Sequence, residues 1–249
     1  MKDVKISLIT VTFNAADTIE GCICSVIEQA YSNLEYIIID GGSTDATLAI
    51  INKYKDHIHQ IVSAPDGGIY DAMNKGIKLA TGDIIGTLNA DDRFAAGDIL
   101  TSVAQGFASS GGDIIYGDIN YVNREDKIIR KWKSGAYKHG CFNWGWMPPH
   151  PSFYAKRILF EQLGYYQIQY GSATDYELML RFIHTNKAKV FYINKLMVNM
   201  LIGGVSNKSI SNRIKAWRND FKAMGNNGLI FPYFSIIWKP FRKIMQYIK

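Results

Sequence analysis

The stretch Asp83-Ile-Ile-Gly-Thr-Leu-Asn-Ala-Asp-Asp92 decides the fold. Its apolar run over Asp83–Leu88 suits a short strand covered on both faces, and it ends in a polar turn, Asn89-Ala-Asp-Asp92. The plan repeats upstream, where Leu34–Ile39 runs into Asp40 and then into Gly41-Gly-Ser-Thr-Asp45. Val4–Thr12, His59–Ser63 and Asp113–Gly117 read as further strands. Helical segments separate them. Asp17-Thr-Ile-Glu20 has the form of a capping box and predicts a helix to about Ala30. Ser43 or Thr44 is placed to cap a helix through about Tyr54. Ala72, Met73, Gly76, Ile77 and Ala80 share one helical face, and Gly97–Phe107 predicts another helix. Strand and helix alternate, so an α/β fold is expected, with a parallel sheet between two helical layers. The carboxyl ends of such strands form the ligand crevice, and Asp40, Asp91 and Asp92 sit there.

The remainder is less regular. Ile119–Trp132 reads as a strand pair and Cys141–His150 as an aromatic loop. Asp175–Ile183 has helical spacing, Lys189–Ile193 and Leu196–Ile202 read as strands, and Ser206 or Asn207 is placed to cap a helix through Met224.

Composition excludes several classes. With 47% apolar and 20% charged residues, the 249-residue chain is globular in character. Three cysteines make no disulfide framework, and Cys22-Ile-Cys24 has the wrong spacing for zinc, so buried free thiols are expected. No run approaches the ~20 apolar residues of a spanning helix, and no signal peptide is evident, so a cytoplasmic location is expected. The net charge is +6, but Met1–Ser206 holds 19 Lys/Arg against 21 Asp/Glu, while Asn207–Lys249 holds 9 against 1. The body is therefore unsuited to nucleic acid, and the excess belongs to the tail. In that tail Ile230, Phe234, Ile237, Phe241, Ile244, Met245 and Ile248 follow helical spacing. Lys239, Arg242, Lys243 and Lys249 lie largely off that stripe. The pattern suits an interfacial membrane segment, at ~1 kcal/mol per basic residue. Packing on the domain or on a second copy of the chain is the alternative.

Two dispositions remain open for each acidic motif. Asp91 and Asp92 are a pair of oxygen donors for Mg²⁺ or Mn²⁺, or a helix-capping turn. Asp40 is a ligand for a base or ribose hydroxyl, or a turn residue. Glycine fingerprints for dinucleotides or for a phosphate-binding loop are missing, so a bound nucleotide would need a metal at its diphosphate.

Six motifs in register resemble the family-two inverting glycosyltransferases of the GT-A fold. They are Val11-Thr-Phe-Asn14, Asp40–Asp45, Pro65-Asp-Gly-Gly-Ile-Tyr-Asp-Ala-Met-Asn-Lys-Gly76, Ala80-Thr-Gly-Asp83, Leu88–Asp92 and Thr174-Asp-Tyr-Glu-Leu-Met-Leu-Arg181. The resemblance covers about Lys5 to Ser206 and is nearest to bacterial capsule, exopolysaccharide and O-antigen enzymes. It implies a Rossmann-like, mostly parallel sheet with a nucleotide-binding half over about 1–118 and an acceptor half over about 119–206. The basic helical segment 207–249 lies outside it. It implies a nucleotide-diphospho-sugar donor, most often a UDP-sugar, with Val11, Thr12, Asn14, Asp40, Asp66, Lys75, Asn89 and Asp91 along the nucleotide cleft. Asp91 and Asp92 would hold the divalent metal. Many relatives carry aspartate at positions 41 and 89, where this chain has Gly41 and Asn89.

Asp175 matches the catalytic base. Inverting transfer is one in-line displacement, in which a carboxylate deprotonates the attacking hydroxyl. His150, Trp144 and Trp146 are the expected acceptor contacts, since aromatic faces suit the C–H face of a hexose. Gly203-Gly-Val-Ser206 reads as a loop over the diphosphate or a plain turn. Acceptors in such pathways are usually polyprenyl-diphosphate-linked saccharides, which fits a protein held at the inner membrane surface. Two other classes compete: a sugar-phosphate nucleotidyltransferase, which would bring a basic Gly-rich loop after the first strand, and a catalytically silent membrane scaffold.

Overall fold

The structure is a computed structural model that describes residues 4–203 and 210–230, with residues 235 and 238. The first half follows the sequence pattern: β1 (Ile6–Thr12), α1 (Ile19–Ile27), β2 (Leu34–Asp40), α2 (Thr47–Lys53), β3 (Gln60–Ser63), α3 (Ile69–Leu79) and β4 (Ile84–Thr87). Then come β5 (Asp92–Phe94), α4 (Ile99–Ser110), β6 (Ile114–Val122), β7 (Ile128–Trp132), β8 (Tyr154–Lys156), α5 (Arg157–Leu163), α6 (Thr174–Met179), β9 (Val190–Leu201) and α7 (Ile210–Asn226).

Among the described residues the strands form one curled sheet in the order β3-β2-β1-β4-β8-β6-β9-β5, with β7 added to β6. The β3-β2-β1-β4 part is parallel, as is β6 with β9, while β8, β5 and β7 pair antiparallel. Alternate residues of β1 and β2 feed two cores. Ile6, Leu8, Tyr36 and Ile38 face the side of α1, α2 and α4. Ile9, Val11, Ile37 and Ile39 face the side of α3 and α6. Gly76 lets α3 press on the sheet, because a Cβ there would lie 2.5 Å from the Ile9 Cγ2.

Several boundaries differ from expectation. Asp113–Gly117 and the first half of the Ile119–Trp132 pair are one strand, β6, and the two expected late strands are one strand, β9. Asp92 opens β5 rather than closing a turn. The Asp17–Glu20 capping box does not form. The α1 cap is Thr18 without a side-chain bond, and the Thr18 and Ile19 N–H groups donate to the Ala15 carbonyl. The α6 helix is short and passes into a π-helical turn over Leu180–Thr185. Cys22 is buried, whereas Cys24 and Cys141 are half-buried, and none of the three is in a disulfide. Among the described residues no helix is long and apolar enough to cross a membrane. Residues 204–209 and most of the tail stripe lie outside the described residues, and with them the expected Ser206 or Asn207 cap and most of the Gly203–Ser206 loop.

Candidate active site

Register brings the motifs to one edge of the sheet. Thr12 lies beside Asp40, and Ile9 beside Thr87. The Ala90 N–H donates to the Val11 carbonyl at 3.3 Å, which docks the Asn89–Asp92 turn against the end of β1.

Asp40 is fully enclosed. Its carboxylate accepts the N–H groups of Gly42 (3.1 Å) and Ser43 (3.0 Å), the Ser63 hydroxyl (2.6 Å) and the Ser43 hydroxyl. The side chain thus organises the turn and is not presented to the cleft. The same bonds correct the expected helix cap, since Ser43 serves Asp40, while Asp45 Oδ1 accepts the Thr47 N–H at 3.0 Å. Asn14 has φ 47° and braces the turn from the other side. Its N–H donates to the Ser43 hydroxyl (2.8 Å), and its Oδ1 accepts the Thr44 N–H (2.9 Å).

Gly41 has a steric reason. A Cβ there would meet Asp66 Oδ2 at 2.7 Å and the Phe13 ring at 3.4 Å. The missing side chain lets the Asp66 carboxylate and the exposed Phe13 ring close on the turn. Asp66 Oδ1 also accepts the Gly68 N–H at 2.7 Å. Val11, by contrast, is a core residue, 5% exposed. The exposed members of that motif are Phe13 and Asn14, and of these Phe13 is absent from the sequence-based expectation. Its signal was an aromatic placed just past a strand end. Lys75 is tied back, donating to the Pro65 carbonyl of the preceding loop (3.2 Å) and pairing with Asp71 on its own helix (3.1 Å).

In the acidic turn the two aspartates differ. Asp91 is partly exposed, and burial raises its carboxyl above the ordinary range against the pull of its own N–H and of His150. Asp92 is enclosed, and burial followed by the Asp91 charge raises it well above that range. Asp92 lies beneath the turn, with its Oδ2 accepting from the Asn89 amide at 3.4 Å. The expected two-aspartate clamp therefore reduces to Asp91 at the surface, with Asp92 as its support. Position 89 explains itself too. The Asn89 amide reaches both Asp92 Oδ2 and His150 Nε2 (3.5 Å), where an aspartate would set another carboxylate against Asp92.

His150, in a 3-10 turn over His150–Ser152, joins this turn to α6. Its Nδ1 lies 3.8 Å from Asp175 Oδ2. The same oxygen accepts the Tyr70 hydroxyl at 3.0 Å. Thr12 Oγ1, Asn89 Oδ1, Asp92 Oδ1 and Asp175 Oδ1 are buried without a partner. Orphaned polar atoms of this kind are costly to bury.

Trp146 corrects an expectation. It is 4% exposed and packs among Tyr116, Tyr137 and Phe142, with its Nε1–H bonded to the Ser134 carbonyl (3.1 Å). It is core and cannot stack on a sugar. Trp144 is 54% exposed and meets Trp238 edge to face at 6.3 Å. The Ser235 hydroxyl donates to the Asn143 carbonyl at 2.7 Å, so the tail touches this segment at both of these described residues.

The donor set fits a hard divalent ion only in a limited way. Among the described residues no three His, Cys, Asp or Glu side chains converge. Asp91 offers one carboxylate, and the ionised form that burial disfavours is the form a cation would restore. Such an ion takes one or two ligands from protein and the rest from phosphate and water.

Solved structures share this architecture. A mannosyltransferase from Pyrobaculum calidifontis, in complex with GDP-Man and Mn²⁺, matches with a TM-score of 0.68 and 17% identity, over 96% of this chain and 73% of that one. S. aureus TarS in complex with UDP-GlcNAc matches with a TM-score of 0.65 and 13% identity, over 98% and 93%. The fold is that of the GT-A glycosyltransferases. The model of glycosyl transferase family 2 matches residues 7–170, and the chain belongs to that family. It is a glycosyltransferase. A PGL/p-HBAD biosynthesis glycosyltransferase of Mycobacterium tuberculosis is 30% identical over 206 residues, covering 81% of this chain and 78% of the relative.

Proposed function

We propose that this glycosyltransferase moves a sugar from a nucleotide-diphospho-sugar of the uridine type to a lipid-linked saccharide. The acceptor class that fits best is a polyprenyl-diphosphate-linked sugar at the inner membrane face. The work is the assembly of a cell-surface polysaccharide or glycolipid. The observation that carries this reading is the state of Asp175. One oxygen is held by Tyr70, the other is buried and empty, and His150 connects it to the Asn89–Asp92 turn.

In this mechanism the acceptor hydroxyl attacks the anomeric carbon as the bond from that carbon to the diphosphate oxygen breaks. The proton of the hydroxyl passes to Asp175, and the configuration inverts. No covalent intermediate forms. Phe13 offers its ring face to the base, Asp66 reaches the nucleotide beside Gly41, and Asp40 and Asn14 hold the turn that carries both contacts. Asp91 would hold a divalent ion, which when bound offsets charge on the departing diphosphate. Trp144 stands on the acceptor side, against the tail. The tail's basic residues suit an anionic leaflet.

A thermal-shift panel of UDP-, GDP- and dTDP-sugars with Mn²⁺ tests the donor. A rise of a few degrees for one UDP-sugar is expected, and a rise for GDP-sugars alone would overturn the uridine assignment. Flotation with anionic vesicles tests the tail. Deleting residues 229–249 should release the protein, and continued salt-sensitive binding would place the anchor elsewhere.

A further inference from the structure

We infer that Tyr70 is the positioning residue of the base, fixing Asp175 so that only Oδ1 is free to take the acceptor's proton. The inference rests on the reading of Asp175 as the base.

Two observations support it. The Tyr70 hydroxyl donates to Asp175 Oδ2 at 3.0 Å, across 105 residues of sequence. The second observation is Oδ1 itself, buried and without a partner. A carboxylate satisfied on both oxygens is a poor base, and one satisfied on neither swings between rotamers. This one has a fixed oxygen and an empty oxygen.

Tyr70 is itself held. Its ring lies 5.6 Å from the ring of Tyr166. Tyr166 is clamped to α3 by Asn74, whose side-chain amide donates to the Tyr166 carbonyl (2.9 Å) and accepts its N–H (2.9 Å). Burial, then the Asp175 charge, raises the Tyr70 phenol above its ordinary value. The hydroxyl thus keeps its proton and remains a donor.

Among the described residues, the titratable groups that act on Asp175 are Tyr70 on α3, Tyr166, and His150 with Asp91 beyond it. Glu177 and Arg181 pair further along its own segment. On α7, Asp220 acts on Tyr176 and Lys222 lies over the Tyr170 ring. Tyr70→Phe removes one oxygen and leaves all the others in place. Loss of a donor to the ionised carboxylate favours its protonated form. The acidic limb of the rate profile should therefore move to higher pH in the variant.

The test measures hydrolysis of the nucleotide-sugar that gives the largest shift in the panel above. Water replaces the acceptor and surrenders its proton to the same carboxylate. Wild type, Tyr70→Phe and Asp175→Asn are compared from pH 5 to 9, with donor affinity and melting temperature measured alongside. For Tyr70→Phe we expect kcat to fall ~10- to 100-fold at unchanged donor affinity, with the acidic limb displaced upward by about one pH unit. A Tyr70→Phe with wild-type kcat and an unmoved limb, beside an inactive Asp175→Asn, overturns the role of Tyr70 alone. An active Asp175→Asn overturns the base on which the inference rests. A fall in kcat accompanied by a lowered melting temperature and an unmoved limb makes Tyr70 merely structural and also overturns the inference.

Discussion

Arg181→Met should destabilise the protein severely, and the reason can be worked from its contacts. Arg181 meets Glu177 with two parallel bonds, Nε at 2.9 Å and Nη2 at 3.0 Å. Its remaining N–H groups reach the carbonyls of Leu163, Gly164 (2.8 Å) and Tyr165 (2.8 Å), which stitches the Asp175-bearing segment to the end of α5. The two side chains are only 11% and 2% exposed. Removing the guanidinium strands a buried carboxylate, whose loss of partner costs about 3–5 kcal/mol. In a chain of this size each kcal/mol moves the melting temperature by about 2 °C, so a drop of about 6–10 °C is expected. Glu177→Gln should cost less, because Arg181 keeps its carbonyl partners. The double variant should lose less than the two single losses added together, since no charge is left stranded. Thermal unfolding followed by circular dichroism reads all four proteins. A melting temperature for Arg181→Met within 2 °C of wild type would refute the reasoning, and so would full additivity in the cycle.

Other expectations concern the site and the sheet. Asp91→Ala should lose Mn²⁺-dependent affinity for UDP in calorimetry, while Asp92→Asn keeps it; the opposite result would restore Asp92 as the ion's ligand. Trp146→Ala should cost about 3–5 kcal/mol of stability as a core truncation, whereas Trp144→Ala should leave the melting temperature unchanged and weaken acceptor use. Equal melting losses for the two would contradict their assigned places. Glu35 provides a pH prediction. Burial alone would raise its carboxyl, but the Lys5 ammonium (2.7 Å), the Ser7 hydroxyl and Thr81 more than offset it and hold the group down to about 2. A depressed folded value stabilises above the unfolded one and is lost as pH falls. The melting temperature should therefore decline between about pH 4.5 and 2, and Glu35→Gln should flatten that decline. Parallel curves for the two proteins would show that Glu35 contributes nothing there.

The parallel half of the sheet was legible because both of its faces are covered. Continuous runs such as Leu34–Ile39 need no alternation to declare themselves, and the Gly and Asp residues after them punctuate the chain. The second half was less so. The three residues of β8 and the three of β5 are too short for any period, and their pairing is decided by distant partners, β4 with β6 and β9 respectively. In the site, motif order brought Asp91, His150 and Asp175 forward, and the structure joins them. It could not say that Asp40, Asp92 and Trp146 turn inward, because residue type does not reveal which side of a turn a side chain takes. Tyr70 was hidden for a further reason. Its partner is 105 residues away, and only the fold brings α3 against the start of α6.

The central claim is that Asp175 removes the proton in a single inverting displacement. Turnover of Asp175→Asn at saturating donor tests it most directly. Turnover should fall about 10²- to 10⁴-fold with donor affinity intact, the amide being isosteric but unable to accept the proton. Near-normal turnover in that variant would contradict it.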